Sequence, residues 1–139
     1  MIELADTSAW TNRRKDPAVA EDFASRVRAG EIATCEMVEL EMLFGTREIG
    51  EFREVRDDFE ALRQVPISAW AWRRALDVFE SLAEEGSLHH RRVALTDLLI
   101  AAAAETAGLR VCHYDSDFER IAEVTGQPVR AIAPLGSLS

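Results

Sequence analysis

The stretch TDLLIAAAAETAGLRVCHYDSD, residues Thr96–Asp117, joins a predicted helix to a predicted strand and has acidic residues near both ends. Its alanine-rich first half predicts a helix from about 96 to 107, which Gly108 closes. The apolar segment 109–114 then predicts a buried strand that ends directly before Asp115. Strands that alternate with helices form parallel sheets, and the ligands of such sheets collect at the carboxyl ends of the strands. We therefore expect Asp115 to lie at a functional edge.

The rest of the chain shows the same alternation of short apolar segments and longer amphipathic ones. Further strands are predicted at 2–5, 31–35, 65–67 and 129–132, and further helices at 16–30, 36–44, 49–62, 68–86 and 117–124. In the helix after Ser68, the expected apolar face carries Trp72, Leu76, Phe79 and Ala83. No repeat or Pro- and Gly-rich linker divides the chain. The sequence predicts an α/β fold, a single domain over residues 1–139 with a parallel central sheet flanked by helices.

The composition limits what this chain can bind. The formal net charge of −9 argues against holding nucleic acid through a general basic surface, so any such contact must be local. Basic clusters at 13–15 and 89–92 are candidates, although clustered charge is most often a solvated surface. No apolar run approaches the roughly 20 residues that cross a bilayer, and acids stand near the N-terminus where a secretory signal carries positive charge. We expect a cytoplasmic protein without membrane contact, with Cys35 and Cys112 as buried free thiols.

Four acidic residues that are far apart in the sequence each stand where an apolar segment meets a turn or a helix: Asp6, Glu41, Asp97 and Asp115. Asp6 and Asp115 follow predicted strands, and Asp97 lies in the first turn of a predicted helix. Glu41, like Glu39, is flanked by apolar residues on a helix, where an unpaired carboxylate would be desolvated. No lysine occurs in the four segments, so a pocket that gathers them calls for a divalent cation. Enzymes that cut phosphodiesters use Mg²⁺ or Mn²⁺ held by oxygen ligands, which makes nuclease chemistry the leading hypothesis.

Each acid also has a purely structural explanation. Asp6 can cap the turn that follows its strand, and the helix dipole favours a carboxylate at Asp97 by about 0.3–1 kcal/mol. In the Asp-Ser-Asp step after the fourth strand, one acid can be a ligand and the other a helix cap. We favour Asp115 as the ligand because it is nearer the strand end, with Asp117 as a residue that supports the ligands.

Four short motifs in order carry a family resemblance: Asp-Thr-Ser at 6–8, Glu-x-x-x-Gly at 41–45, Thr-Asp-Leu-Leu-Ile-Ala-Ala at 96–102 and Asp-x-Asp-Phe at 115–118. Each motif is weak alone. The ordered set with its spacing resembles a PIN-domain protein, and most closely the VapC-type toxins of bacterial toxin–antitoxin pairs. The resemblance extends over nearly the whole chain, from residue 1 to about 134.

This resemblance implies an endoribonuclease toxin that depends on Mg²⁺, or on Mn²⁺, and hydrolyses RNA phosphodiester bonds. The residues that match the family's catalytic and metal-binding acids are Asp6, Glu41, Asp97 and Asp115. The fourth acid varies in the family, which leaves the choice between Asp115 and Asp117 open. Thr7 and Ser8 match hydroxyl residues that support the first acid. The resemblance also implies a homodimer that is silenced by a cognate VapB-type antitoxin.

Two other functions predict different behaviour. A catalytically silent PIN-like protein-interaction module would use the acids only as turn caps and would show no metal-dependent hydrolysis. A phosphoryl-transfer domain of the receiver or phosphatase type also places acids at strand ends. It needs a lysine near a late strand or an Asp-x-Asp directly after the first strand, and neither occurs here, because Thr7 and Ser8 follow Asp6.

Overall fold

The centre of the molecule is a five-stranded, all-parallel sheet in a computed structural model that describes all 139 residues. The strands are β1 (Glu3–Ala5), β2 (Ile32–Thr34), β3 (Arg63–Gln64), β4 (Arg110–His113) and β5 (Val129–Ala131). Their order in the sheet is β3-β2-β1-β4-β5. β1 therefore pairs with β2 on one side and on the other with β4, which comes from the last third of the chain. The predicted α/β fold with a parallel central sheet is confirmed.

Seven α-helices connect these strands. They are α1 (Thr7–Asn12), α2 (Pro17–Arg28), α3 (Glu36–Phe44), α4 (Ile49–Glu60), α5 (Ala69–Glu84), α6 (Leu95–Thr106) and α7 (Ser116–Thr125). Short 3-10 segments, Arg13–Lys15 and His89–Arg92, precede α2 and α6. One cluster of 25 buried apolar residues joins helices and sheet into a common core. Cys35 and Cys112 are buried free thiols, as expected.

Local capping explains why several helices begin and end where the sequence predicts. The Asp16 carboxylate accepts from the backbone N–H groups of the first turn of α2, and Pro17 occupies the first helical position. The Ser68 hydroxyl accepts from the Ala71 N–H at 3.2 Å and caps α5. After α6, Gly108 has a φ of +70°, a left-handed conformation that glycine adopts without steric cost.

The prediction for the third strand is wrong by two residues. The sequence places it at 65–67, but β3 is Arg63–Gln64, which pairs with Ala33 and Thr34 of β2. The Val65 N–H still donates to the Thr34 carbonyl at 2.8 Å. β2 ends at Thr34 and α3 begins at Glu36, so β3 has no strand partner beyond Val65.

The predicted apolar face of α5 is also wrong in part. The residues that α5 buries are Ala71, Val78 and Leu82, whereas Trp72 and Leu76 are 57% and 67% exposed. α5 packs along the alanine-rich α6, and a small residue such as Ala71 lets the two helices approach closely. The larger side chains consequently lie on the outer side of the helix.

Two further observations complete the fold. The short helix α1 directly after β1 is absent from the sequence prediction, because six residues give too little periodicity to detect. None of the helices combines the length and apolar character that crossing a bilayer requires.

Candidate metal centre

The carboxyl ends of β1 and β4 lie side by side, and an acidic residue follows each of them. Asp6 comes directly after β1, and Asp115 comes two residues after the end of β4. The Asp6 N–H donates to the Cys112 carbonyl at 2.8 Å, which holds the two strand ends together. Parallel pairing thus brings residues from the start and the end of the chain to one edge of the sheet.

Asp97, Asp115 and Asp117 form the tightest acidic group at this edge, with one carboxylate oxygen of each within 4.8 Å of the others. Asp115 caps α7, because its Oδ1 accepts from the Asp117 N–H at 2.9 Å. The Asp117 Oδ2 accepts from the Ala94 N–H at 3.0 Å, just before α6. Asp117 also lies 3.6 Å from the Arg120 guanidinium. Asp117 is therefore part of the acidic group in its own right.

Asp6 is almost wholly buried at 2% exposure and caps α1. Its Oδ2 accepts from the Ser8 N–H at 2.9 Å, whereas its buried Oδ1 has no hydrogen-bond partner. Burial raises the pKa of Asp6 despite hydrogen bonds from Ser8 and Thr7, and the charge of Glu41 raises this pKa further. A buried carboxylate oxygen without a donor is costly unless a proton or a cation satisfies it.

Glu41 projects from α3 and is half-buried. Its Oε1 accepts from the Thr7 hydroxyl at 2.9 Å, a bond between residues 34 positions apart. This bond connects α3 to the start of α1, directly after Asp6. Glu41 is thus beside Asp6 rather than in the tight group of three, and Asp6 is close enough to Asp97 for its charge to act there.

Among the acids of this edge, Asp97 has the most strongly raised pKa. Burial raises its pKa to about 9, together with a hydrogen bond to Asp117 and the charges of Asp6, Asp115 and Asp117. At neutral pH and without a cation, this raised pKa favours the protonated carboxyl of Asp97. A proton at this position is what a crowded set of carboxylates holds when nothing else neutralises it.

Comparison with known proteins identifies the family. A PIN-domain family model matches residues 4–124, which is most of the chain. The chain belongs to the PIN-domain family. The resemblance seen in the four sequence motifs is thereby confirmed.

The curated relatives of this PIN-domain chain are named as VapC ribonucleases. The chain is 38% identical to Ribonuclease VapC18 of Mycobacterium tuberculosis, over 99% of this chain and 100% of that protein. It is 37% identical to Ribonuclease VapC51 of the same organism, over 97% of this chain and 96% of that protein. The alignments run nearly end to end, so the likeness extends beyond a shared segment.

Solved structures of related complexes have the same fold. A member of the VapBC family of toxin–antitoxin systems, VapBC-5 from Mycobacterium tuberculosis, matches with 25% identity and a TM-score of 0.60 over 94% of this chain and 96% of that one. A chain of the DNA-bound VapBC from Salmonella typhimurium matches with a TM-score of 0.73 over 96% of this chain and 100% of that one. The identity in the second case is 20%, so that likeness concerns the fold alone.

The acidic edge of this PIN domain fits a divalent cation on three observations. The donor set is entirely carboxylate oxygen, which hard ions such as Mg²⁺ and Mn²⁺ prefer. The Asp6 Oδ1 is buried without a donor. Burial, and to a smaller extent the charges of neighbouring acids, raises the pKa values of Asp6 and Asp97, so their charged forms lack compensation at this edge. Asp6, Asp97, Asp115 and Asp117 are the residues that would hold the ion.

Sequence reasoning did not single out two buried groups. His113, the last residue of β4, has both ring nitrogens engaged next to Asp115. Glu3 in β1 is wholly buried. A histidine or an acid inside an apolar strand is a visible signal, but the partners of these two residues come from distant segments.

The Glu3 carboxylate binds three arginines from three different elements. Arg130 contacts both of its oxygens, at 2.8 and 2.9 Å, and the Arg110 Nε lies 2.6 Å from Oε2. Arg26 lies 3.5 Å from Oε1. Burial tends to raise the pKa of Glu3, but the hydrogen bonds and charges of Arg130 and Arg110 outweigh it and hold this pKa below 4.5. The cluster links α2, β4 and β5 to the central strand.

Proposed function

We propose that this chain is a metal-dependent endoribonuclease toxin of a toxin–antitoxin pair, which hydrolyses RNA phosphodiester bonds and is neutralised by a cognate VapB-type antitoxin. The whole chain, residues 1–139, acts as one PIN domain in this proposal. One observation carries it: Asp97 of α6 and Asp115 and Asp117 at the β4–α7 connection form one acidic group, and Asp6, directly after β1, is close enough for its charge to act on Asp97. The names of the relatives agree with this assignment, since they are called VapC ribonucleases.

In the proposed site, Asp6, Asp97 and Asp115 are the ligands and catalytic residues, and Asp117 completes the acidic group. A cation held there, Mg²⁺ or Mn²⁺, would supply Lewis acidity that lowers the pKa of water and neutralises charge on the phosphate. Glu41 is held beside Asp6 by its hydrogen bond with Thr7, where it can orient the attacking water. An ion held there would require the deprotonated carboxylate of Asp97, whose raised pKa favours a proton in the metal-free protein, so binding of the ion would release that proton.

RNA contacts in this acidic protein are local in the proposal. Arg14 and Lys15 are exposed in the 3-10 segment that follows α1, the helix capped by Asp6. α1 is six residues long, which corresponds to roughly 9 Å at 1.5 Å per residue. Arg13 is less available, because its guanidinium lies over the ring of Trp10. Arg14 and Lys15 are thus the candidates for contacts to the RNA backbone.

The test of the proposed function is cleavage of total cellular RNA by the purified chain. We expect discrete products with millimolar Mg²⁺ or Mn²⁺ and none with EDTA, and a melting temperature that rises with either ion, because the ion binds only the folded state. A melting temperature unchanged by the ions, with intact RNA, would favour the alternative of a silent PIN-like interaction module. If a small protein encoded beside the gene for this chain is the antitoxin, adding it to the same assay should stop cleavage.

A groove between α1, α2 and α4 has the chemistry of an antitoxin-binding surface. Its volume is about 970 Å³, and its apolar lining includes Trp10, Val55 and Phe59. The α4 side carries four acids: Glu51, Glu54, Asp57 and Asp58. Arg13 and Arg14 also line the groove, so a partner segment that combines apolar residues with basic residues turned toward α4 complements this lining. Solved VapBC complexes of the same fold support a partner of this class.

A homodimer is also part of the proposal, and an exposed apolar groove indicates its interface. The groove lies between α3, α5 and α6, has a volume of about 310 Å³, and is lined by Met37, Trp72, Leu76, Phe79 and Leu95 among others. Trp72 and Leu76 are two of the large side chains that α5 leaves exposed, together with Trp70, which lies outside the groove. A contiguous apolar surface of this kind commonly marks a protein interface.

Leu76→Glu is expected to separate the dimer into monomers, because a carboxylate would be buried without a partner at the interface. The measurement is molar mass by light scattering, with the wild type at twice the 15.5 kDa chain mass. Leu88→Glu is the matched control, since Leu88 is likewise exposed, at 57%, but lies outside the groove. A dimeric Leu76→Glu protein would place the interface elsewhere, and a monomeric wild type would refute the dimer.

A further inference from the structure

β4 ends in a histidine that is wholly buried beside the acidic group. His113 is 0% exposed, and its ring lies 5.3 Å from the ring of Phe118. Burying an imidazole is costly unless both nitrogens find partners. Nε2 lies 3.1 Å from the Glu119 Oε1, and Nδ1 lies 3.1 Å from the backbone nitrogen of Asp115. Both ring nitrogens are therefore engaged inside the protein.

The partner of Nδ1 specifies the tautomer. A backbone N–H can only donate, so Nδ1 must accept, and the ring proton is on Nε2. Nε2–H then donates to the Glu119 carboxylate, which is a suitable acceptor. The structure thus requires the neutral imidazole with its acceptor nitrogen directed at the Asp115 amide.

We infer that His113 is a positioning residue for the metal centre: its Nδ1 fixes the Asp115 backbone so that Asp115 and Asp117 approach Asp97. The inference rests on the proposed function, because it concerns the site that would hold the cation. His113 itself is not a ligand, since both of its nitrogens are occupied.

A continuous series of hydrogen bonds carries this effect from the sheet to α6. Nδ1 of His113 accepts from the Asp115 N–H, and the Asp115 Oδ1 accepts from the Asp117 N–H. The Asp117 Oδ2 accepts from the Ala94 N–H, just before the helix that carries Asp97. On the other side of Asp115, the Ser8 hydroxyl accepts from the Tyr114 N–H at 2.8 Å. Loss of the Nδ1 acceptor removes the hydrogen bond of the Asp115 N–H, whereas the Asp115 carbonyl still accepts from the Phe118 N–H at 3.2 Å within the first turn of α7.

Two amide substitutions separate the role of each ring nitrogen. The Asn side-chain oxygen can occupy the position of Nδ1 and accept from the Asp115 N–H, but Asn cannot reach Glu119. Gln reaches toward Glu119 and offers no acceptor near the position of Nδ1. His113→Asn should therefore keep the anchor of Asp115, and His113→Gln should lose it, although both remove the ring from the core.

The decisive measurement is Mn²⁺ binding by calorimetry, with circular dichroism to verify folding and melting in EDTA to rank stability. We expect His113→Gln to weaken Mn²⁺ binding by about 10–100-fold, the usual loss when a residue that orients a metal ligand is changed. His113→Asn should stay within about threefold of the wild type, although its melting temperature is also lowered. Equal weakening in the two variants, in step with their melting temperatures, would overturn the positioning role.

A readout without metal distinguishes this inference from the proposed function. Amide hydrogen exchange at Asp115, measured by NMR in EDTA, should accelerate in His113→Gln and stay slow in His113→Asn. Unchanged protection in His113→Gln overturns the anchor even if Mn²⁺ binds. A wild-type protein that binds no Mn²⁺ contradicts the proposed function, and the exchange rates still decide the anchor. If His113→Gln does not fold, fast exchange of the Asp115 amide in folded His113→Asn also overturns it.

Discussion

Asp97→Asn is expected to lower the rate of RNA cleavage by about a thousandfold or more at saturating Mg²⁺. The cation contributes several kcal/mol to such reactions, and each 1.4 kcal/mol, approximately, is a factor of ten in rate. Asparagine replaces one ligand oxygen by an NH₂ group, which cannot bind a cation. Its shape and its hydrogen bond to Asp117 are kept, so the fold should persist. Cleavage of total RNA at matched enzyme concentration measures the effect.

Stability should change in the opposite direction, which makes this variant diagnostic. The pKa of Asp97 is 3.8 in the unfolded chain and about 9 in the folded protein. Between these pH values the folded chain keeps a proton that the unfolded chain releases, so stability falls as pH rises through this window. The amide of Asp97→Asn cannot lose a proton, so the metal-free variant should melt higher than the wild type at pH 8 and show a flatter dependence on pH.

The matched control for this experiment is Asp77→Asn, because Asp77 is exposed on α5 and away from the acidic edge. It should cleave RNA and respond to Mg²⁺ as the wild type does. Cleavage by Asp97→Asn at the wild-type rate would remove Asp97 from the proposed catalytic set. A melting temperature that does not rise in the metal-free variant would show that the acids do not repel one another as the geometry indicates.

Glu3→Gln should be the most destabilising single substitution outside the apolar core, by about 3–5 kcal/mol. Removing one partner of a buried ion pair leaves the remaining charge uncompensated, and here Arg110 and Arg130 lose their carboxylate, whereas Arg26 keeps Asp22 at 2.9 Å. The free energy of unfolding in urea is the measurement. Glu31→Gln is the control, because Glu31 pairs only with the exposed N-terminus at 3.8 Å and should change stability by about 0–1 kcal/mol.

The dependence of the free energy of unfolding on pH, measured below neutral pH, is a second test of the prediction for Glu3→Gln. The folded pKa of Glu3 is below 4.5, so its contribution is present above that pH and is lost as pH falls through the folded pKa. Glu3→Gln lacks this contribution at every pH. The difference between the wild type and the variant should therefore be largest above pH 5 and shrink in acid. A constant difference down to pH 2 would contradict the ion-pair explanation.

Sequence periodicity and capping predict most of the elements of this chain, because those signals are local. The helix predicted at 36–44 is α3 with the same limits, and Ser68 caps α5 as expected. The position of β3 depends on its register with β2, and the buried face of α5 depends on the small residues of α6. The residues of β3 alone do not specify its position in the sheet, and the residues of α5 alone do not specify its buried face.

The candidate site shows the same limit. Asp6, Asp97 and Asp115 are recognisable from their places after a strand or at a helix start, and Glu41 from its apolar neighbours on a helix, but the sequence favours Asp115 over Asp117 only by its place nearer the strand end. The structure places oxygens of both near Asp97, because Asp115 caps α7 and its cap brings Asp117 back toward α6. The acceptor role of His113 was likewise invisible, since it depends on the direction of one ring nitrogen.

The central place of β1 in the sheet has a consequence for synthesis on the ribosome. β1 emerges first, and its neighbour β2 follows soon after, but its other neighbour β4 is translated only after α6. A nascent chain that stops before Arg110 contains Asp6, Glu41 and Asp97 but lacks Asp115, Asp117 and the strand that precedes them. The nascent chain would consequently be an inert precursor until β4 and the segment that carries Asp115 and Asp117 have been translated, and the hydrolytic hazard would arise only after that point.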